Sequence, residues 1–144
     1  MTKITDLFDI ELFNQMVEEK YIRVQVHPEF PELSIASYTE TAQFERKWND
    51  ATRVSRGLIY NNQTLDILAR PFQKIHNWDE AEAPRITWDA PLYSWSNKED
   101  GSLGIGYVRP DGRAAIATRG SFASDQALHA TQLMWDNKAY AEEQ

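Results

Sequence analysis

Cysteine is absent from the 144 residues, which excludes a disulfide framework, thiolate metal sites and a cysteine nucleophile. Long apolar runs are absent too. None approaches the length of a transmembrane helix, and the opening Met1-Thr2-Lys3-Ile4-Thr5-Asp6 lacks the apolar segment of a signal peptide. No internal repeat, low-complexity tract or linker breaks the chain. Nor is there an excess of positive charge: the formal net charge is −7, whereas a protein that coats nucleic acid is ordinarily basic. What remains is a chain with 42% hydrophobic residues, long enough to bury one core. The expectation is a single soluble domain over residues 1–144, in the cytoplasm.

The charge is unevenly spread. Residues 1–50 hold five Lys/Arg against ten Asp/Glu, residues 51–97 hold five against five, and 98–144 hold five against seven. Cations are thus least outnumbered in the middle, where Arg53, Arg56, Arg70, Lys74 and Arg85 fall. A local anion site inside an acidic protein fits this pattern, and so does a solvated surface.

Leu7, Ile10, Phe13, Met16 and Val17 recur at three-four spacing and predict an amphipathic helix within 6–20. Strict alternation then predicts a strand over 21–26, with 33–38 as its antiparallel partner. Thr39 or Thr41 is expected to cap a short helix with Phe44 and Trp48 at i, i+4. Strands follow over 54–60 and 64–70, joined at Asn61-Asn62-Gln63, then a polar loop over 71–84, and strands over 85–89, 92–96, 102–108 and 113–118. The last helix is capped by Ser121 or Ser124, with Ala127, Leu128, Thr131 and Met134 along one side, and is expected to run on to Gln144. The class is α+β, mostly antiparallel sheet with flanking helices.

The most informative stretch is Asn97-Lys98-Glu99-Asp100-Gly101-Ser102, a lysine on a tight polar turn between two expected strands. A K-x-D-G turn so placed marks enzymes that attach a nucleotide covalently to lysine. An amine attacks phosphorus only when unprotonated, so such a lysine needs a desolvated or cation-rich pocket. Glycine beside it lets the backbone turn and approach a nucleotide closely. The same Asp-Gly also closes turns that carry no chemistry, with the lysine in solvent.

Five ordered segments together resemble the adenylyltransferase domain of the bacteriophage RNA ligases that repair broken tRNA, the RNA ligase 1 family. They are Tyr38-Thr39 through Phe44 and Trp48; Arg53 through Arg56-Gly57-Leu58-Ile59-Tyr60; Ala69-Arg70-Pro71-Phe72 with Lys74 and Asn77-Trp78; Lys98-Glu99-Asp100-Gly101-Ser102; and Arg119-Gly120-Ser121 leading to Leu128. The resemblance covers nearly the whole chain and implies a partial covalent-nucleotidyltransferase fold.

It further implies ATP as substrate and magnesium as the ion that orients pyrophosphate. Lys98 would take AMP as a lysyl phosphoramide and pass it to an RNA 5′-phosphate, which a 3′-hydroxyl then displaces. Arg56, Gly57, Lys74, Asn97, Glu99, Asp100, Gly101 and Arg119 are the implied nucleotide contacts. Arg56 and Lys74 are expected to neutralise triphosphate oxygens and to hold Lys98 deprotonated by like-charge repulsion. Arg119 either meets nucleotide or RNA, or forks onto a backbone carbonyl or carboxylate. Asp100 either touches ribose or metal, or holds the turn. Tyr38, Phe44 and Trp48 are expected in the core rather than as substrate platforms. His27, His76 and His129 are assigned no role, and no protein-held metal site is expected.

The family's later motifs, an acidic strand, a Glu-Gly-Val-type strand and a late lysine pair, are not matched after Ser121. The expectation is therefore the N-terminal part of such a domain, whether a truncated chain, a degenerate product or one piece of a split enzyme. Self-association or a complementing C-terminal portion is the expected partner besides ATP and RNA ends, and no membrane. The competing expectation is an inactive remnant serving as a nucleotide-binding, RNA-binding or interaction module. A DNA ligase or capping enzyme is the third.

Overall fold

The computed structural model describes residues 1–137; the expected helical run to Gln144, with Lys138, lies outside them. A 3-10 turn at Ile4–Asp6 leads into helix α1, Ile10–Glu18. The order then runs β1 (Ile22–Val26), β2 (Leu33–Tyr38), α2 (Glu40–Phe44), α3 (Asp50–Val54), β3 (Arg56–Asn61), β4 (Ile67–Ala69), β5 (Ile105–Val108), β6 (Ala114–Ala117) and α4 (Asp125–Asp136). The class is α+β. Strands β1 to β4 form one antiparallel sheet in sequence order, and β5 and β6 pair antiparallel as a separate hairpin. No helix among the described residues is long and apolar enough to cross a membrane.

Alternation decides how these layers stack. Successive side chains of a strand point to opposite faces, and all six residues of β2 are buried. Ala36 with Leu58 and Tyr60 of β3 joins Phe13 and Met16 of α1 and Ala51 and Val54 of α3 in one apolar cluster. Leu33, Ile35 and Ile59 on the other parity join Ile105, Tyr107, Ala115, Ala117 and Phe122 in a second. The sheet is therefore covered by helices on one face and by the β5–β6 hairpin on the other.

Local chemistry sets the helix ends. Asp9 caps α1 by accepting from the Glu11 amide, Thr39 caps α2, Asn49 caps α3 and Ser124 caps α4. Helix α1 stops where Lys20 turns left-handed, at φ 66°. Its amide donates to Val17 and that of Tyr21 to Met16, at 3.1 and 2.8 Å, the paired bonds of a Schellman stop with lysine in the place glycine usually takes.

Four expectations are corrected. Residues 50–54 are helical, so the strand expected from 54 begins at Arg56. The capped helix ends at Phe44 and does not stack Phe44 on Trp48; Phe44 is 90% exposed, while Trp48 packs edge-on against Tyr38 at 5.0 Å. Residues 85–89 and 92–96 form no strand, and residues 84–102 are exposed throughout. The strand expected from 102 begins at Ile105. A strand exists only with a partner for its ladder, and alternation in these segments met none.

Beyond the second apolar cluster, specific contacts join the hairpin to the sheet. Gly57, at φ +84°, sits under the hairpin so closely that a Cβ would overlap Cδ1 of Ile105. His27, 7% exposed, bridges at the other end of β2. Its Nδ1 accepts from the amides of Glu29 and Phe30, at 3.0 and 3.2 Å, which leaves Nε2 to donate to the Tyr107 hydroxyl at 3.0 Å. Burial lowers the His27 pKa, with Arg109 adding to the effect and Glu29 opposing it. Burial also pushes the Tyr107 phenol up to about 12. Both groups are neutral at pH 7.

Gly57→Ala combines a left-handed alanine with an overpacked contact, and should cost about 2–4 kcal/mol in urea unfolding. Gly106→Ala, where a Cβ meets nothing within 4 Å, should stay within about 0.5 kcal/mol. For His27 the folded pKa lies below the unfolded one, so its contribution is complete above about pH 6.5 and is lost as pH falls further. Unfolding midpoints at about pH 7.5 and about pH 5.5 should differ in the unaltered chain, and by less in His27→Gln. An equal difference in both would remove His27 as the cause.

Candidate functional site: a cation cluster around Ser37 and Tyr38

The end of β2 gathers side chains from four distant parts of the chain. Gly57, just inside β3, donates its amide to the Ser37 hydroxyl at 3.0 Å. That hydroxyl donates in turn to the carbonyl of Arg119, on the turn between β6 and α4. One buried oxygen thus ties two strands of the sheet to the far side of the hairpin. Arg119 then reaches back. Its Nη2 donates to the carbonyl of Tyr38 at 3.3 Å, and its Cζ lies 4.2 Å from the centre of the Tyr38 ring. Of the two expectations for Arg119, the backbone carbonyl is the partner in the folded chain.

Two further cations arrive from the other side of the sequence. Arg56 opens β3 and donates from Nη1 to the carbonyl of Phe72 at 3.4 Å. The amide of Lys74 donates to the carbonyl of Arg53 at 2.9 Å, which docks the loop after β4 on the α3–β3 junction. The Lys74 ammonium lies 5.5 Å from the Trp48 ring centre and 6.0 Å from that of Tyr38. Among the described residues none of Arg56, Lys74 and Arg119 forms a salt bridge. Each cation–ring contact contributes about 0.5–2 kcal/mol at such half-buried sites, enough to position a charge without neutralising it.

A cavity of about 710 Å³ opens beside this cluster, lined by Lys20, Arg23, Tyr38, Thr39 and Arg119 among others. Its size is that of a small-molecule site. Its walls carry three cations and the hydroxyls of Ser37, Thr39 and Thr41 against one carboxylate, Glu40. An anion with several oxygens is the ligand that this lining suits.

Of the implied nucleotide contacts, Arg56, Gly57, Lys74 and Arg119 come together. The other four, and the nucleophile Lys98, do not join them through any described contact. Asn97, Lys98, Glu99, Asp100 and Gly101 are exposed on a segment without strand or helix, with a bend at Asp100 and Gly101 and φ +145° at Gly101. The flanking strand expected at 92–96 is not formed, so the strand-turn-strand frame for Lys98 is corrected on its first side.

Tyr38, expected in the core, is 5% exposed yet carries two cations over its ring. Ser37 was not singled out by the sequence. The run from Leu33 to Tyr38 holds two serines, Ser34 and Ser37, and nothing in the sequence distinguished the second. His76, assigned no role from the sequence, has a carboxylate partner: Nδ1 lies 3.2 Å from Oε2 of Glu80, four residues on. The Asn77 amide and the His76 hydrogen bond hold the Glu80 pKa below its ordinary value, with Lys74 adding at longer range.

No protein-family model matches the chain, and no curated protein matches it. The site is therefore read from its geometry.

Ser37→Ala leaves the buried Gly57 amide and the Arg119 carbonyl without their partner. At about 1–3 kcal/mol for each unsatisfied group, the variant should lose about 2–4 kcal/mol in urea unfolding. A loss under about 0.5 kcal/mol would mean that the bridge carries little.

Proposed function

We propose that the chain is the nucleophile-bearing part of an ATP-dependent RNA ligase of the covalent-nucleotidyltransferase type. It would join RNA 5′-phosphate and 3′-hydroxyl ends through AMP carried on Lys98. One observation supports this above the rest: Lys74 and Arg119, widely separated in sequence, both lie over the Tyr38 ring, Arg56 pairs with Ser37 across the ladder, and none of the three forms a salt bridge among the described residues. A triphosphate places up to four negative charges where such a cluster can meet them with charge-assisted hydrogen bonds.

The cluster does not fit a resident magnesium, which is held by carboxylates and phosphate oxygens, because its chemistry is cationic throughout. Magnesium belongs to the substrate as the nucleotide's counter-ion. In the proposed reaction Lys98 loses its proton, its Nζ forms a bond to the α-phosphorus, and the bond to pyrophosphate breaks. The guanidinium groups and Lys74 stabilise charge on the leaving group. Lys98 must leave bulk water for that step, and the segment around it must move towards the cluster.

The exposure of Lys98 favours a second reading, in which the chain binds nucleotide or RNA and transfers nothing. Two measurements separate the readings. Calorimetric affinity for ATP should fall about tenfold or more in Lys74→Ala and in Arg119→Ala. Unchanged affinity in both would remove the cluster as the phosphate site. Intact mass after incubation with ATP and magnesium should show little or no added AMP on the 144-residue chain. In a longer protein that also supplies the adenosine-enclosing segments it should show one AMP. Lys98→Ala and Lys98→Arg should both lose it, since a guanidinium keeps its proton. An AMP retained by either variant would place the nucleophile elsewhere, and ATP binding with no AMP in the longer protein would establish the second reading.

A further inference from the structure

We propose that His76, Glu80 and Glu82 form a binding site for a divalent transition-metal ion of the zinc type. The inference is independent of the ligase reading. Among the described residues these three offer one ligand atom each, all within 4.8 Å of one another. Two successive turns build the group: the Glu80 amide donates to the carbonyl of Asn77 at 3.0 Å, and the Ala83 amide to that of Glu80 at 3.1 Å. These turns fold Glu82 back beside His76. The imidazole is held from behind by the edge of Trp48, with ring centres 5.5 Å apart, and its side chain is 6% exposed.

A second observation points to a missing cation. Oε2 of Glu82 is sealed from solvent and receives no hydrogen bond. A buried carboxylate oxygen without a donor is costly to leave bare. The neighbouring charges do not answer it. Glu80 already accepts from the Asn77 amide at 2.9 Å and contacts His76, and the field of Lys74 reaches Glu80. Protonation of His76 would supply one positive charge for two carboxylates. A divalent ion supplies both charges and bonds directly to the uncovered oxygen.

The donor set decides the class of ion. One imidazole nitrogen and two carboxylates suit zinc, cobalt, manganese or ferrous iron, with water or another ligand completing the shell. Magnesium and calcium prefer oxygen throughout. With three protein donors the site keeps an open position, unlike a closed structural zinc site.

The test uses cobalt chloride as a spectroscopic probe and zinc as competitor, on the full chain. One cobalt per chain should bind, with visible absorption that zinc abolishes. Binding should be lost in His76→Ala, weakened at least about tenfold in Glu82→Gln, and unchanged in His129→Ala. Absence of stoichiometric binding, or equal affinity in His76→Ala, would overturn the site. Should the variants fail to fold, paramagnetic shifts in the unaltered chain decide. Cobalt should displace the amide resonances of His76 to Ala83 and the Trp48 indole. Shifts centred on His129 or the amino terminus would overturn the assignment.

Discussion

The arrangement depends on one hydroxyl. Ser37 accepts from Gly57 and donates to Arg119, so a single buried side chain joins two strands of the sheet to the turn that ends the hairpin. Apolar contact between sheet and hairpin contributes more free energy in total, at about 1.5–3 kcal/mol for each large side chain buried. It is non-directional, however, and fixes no register. Hydrogen bonds do, because a misplaced buried donor costs about 1–3 kcal/mol. Glycine at position 57 is the condition for this geometry, since any Cβ there would meet Ile105 before the hydroxyl could reach. His27 performs the matching task at the start of β2, tying the turn after β1 to Tyr107. The two bridges pin the hairpin at both ends of the same strand.

The same constraint explains why cations collect on an acidic protein. Fixing the carbonyl of Arg119 fixes where its guanidinium can go, and Tyr38 lies beneath it. The contrast with Arg109 is instructive. That guanidinium also lies near two rings, Phe30 and Trp135, but it contacts Glu29 and Asp111 at 3.9 and 2.6 Å. Its charge is spent on the fold. Arg119 and Lys74 are positioned by ring faces and backbone, which hold a cation in place without a direct salt bridge. Residue type alone does not separate these roles; the partner does.

What the sequence made legible follows from this distinction. The alternation of 21–26 and 33–38 and the three-four pattern of α1 were readable because their partners lie close along the chain. Arg56, Lys74 and Arg119 could be named as cations, but the meeting of Lys74 and Arg119 at Tyr38 could not, since it depends on Ser37 and Gly57 setting the register of distant strands. Helix α3 was missed because Val54 and Ser55 were read with the strand that follows them, and the signal for a helix there is the Asn49 cap that precedes it. The pairing of His76 with Glu80 lies within the stretch read as a polar loop, where four-residue spacing carries no expectation of contact.

Residues 85–89 and 92–96 failed for a different reason, and it bears on Lys98. Alternation is a relation between a strand and a neighbouring strand, and in the folded chain these residues meet none. Trp88, Leu92, Tyr93 and Trp95 stand exposed instead, a run of apolar surface that water penalises. On the proposed ligase reading, activation of an amine makes the same demand: Lys98 would have to be taken from water beside other cations before it could attack phosphorus. A strand or surface laid over Trp95 would also desolvate the turn two residues further on. The exposed aromatics and the exposed lysine share one segment, and under that reading covering the first would be the physical condition for the chemistry of the second.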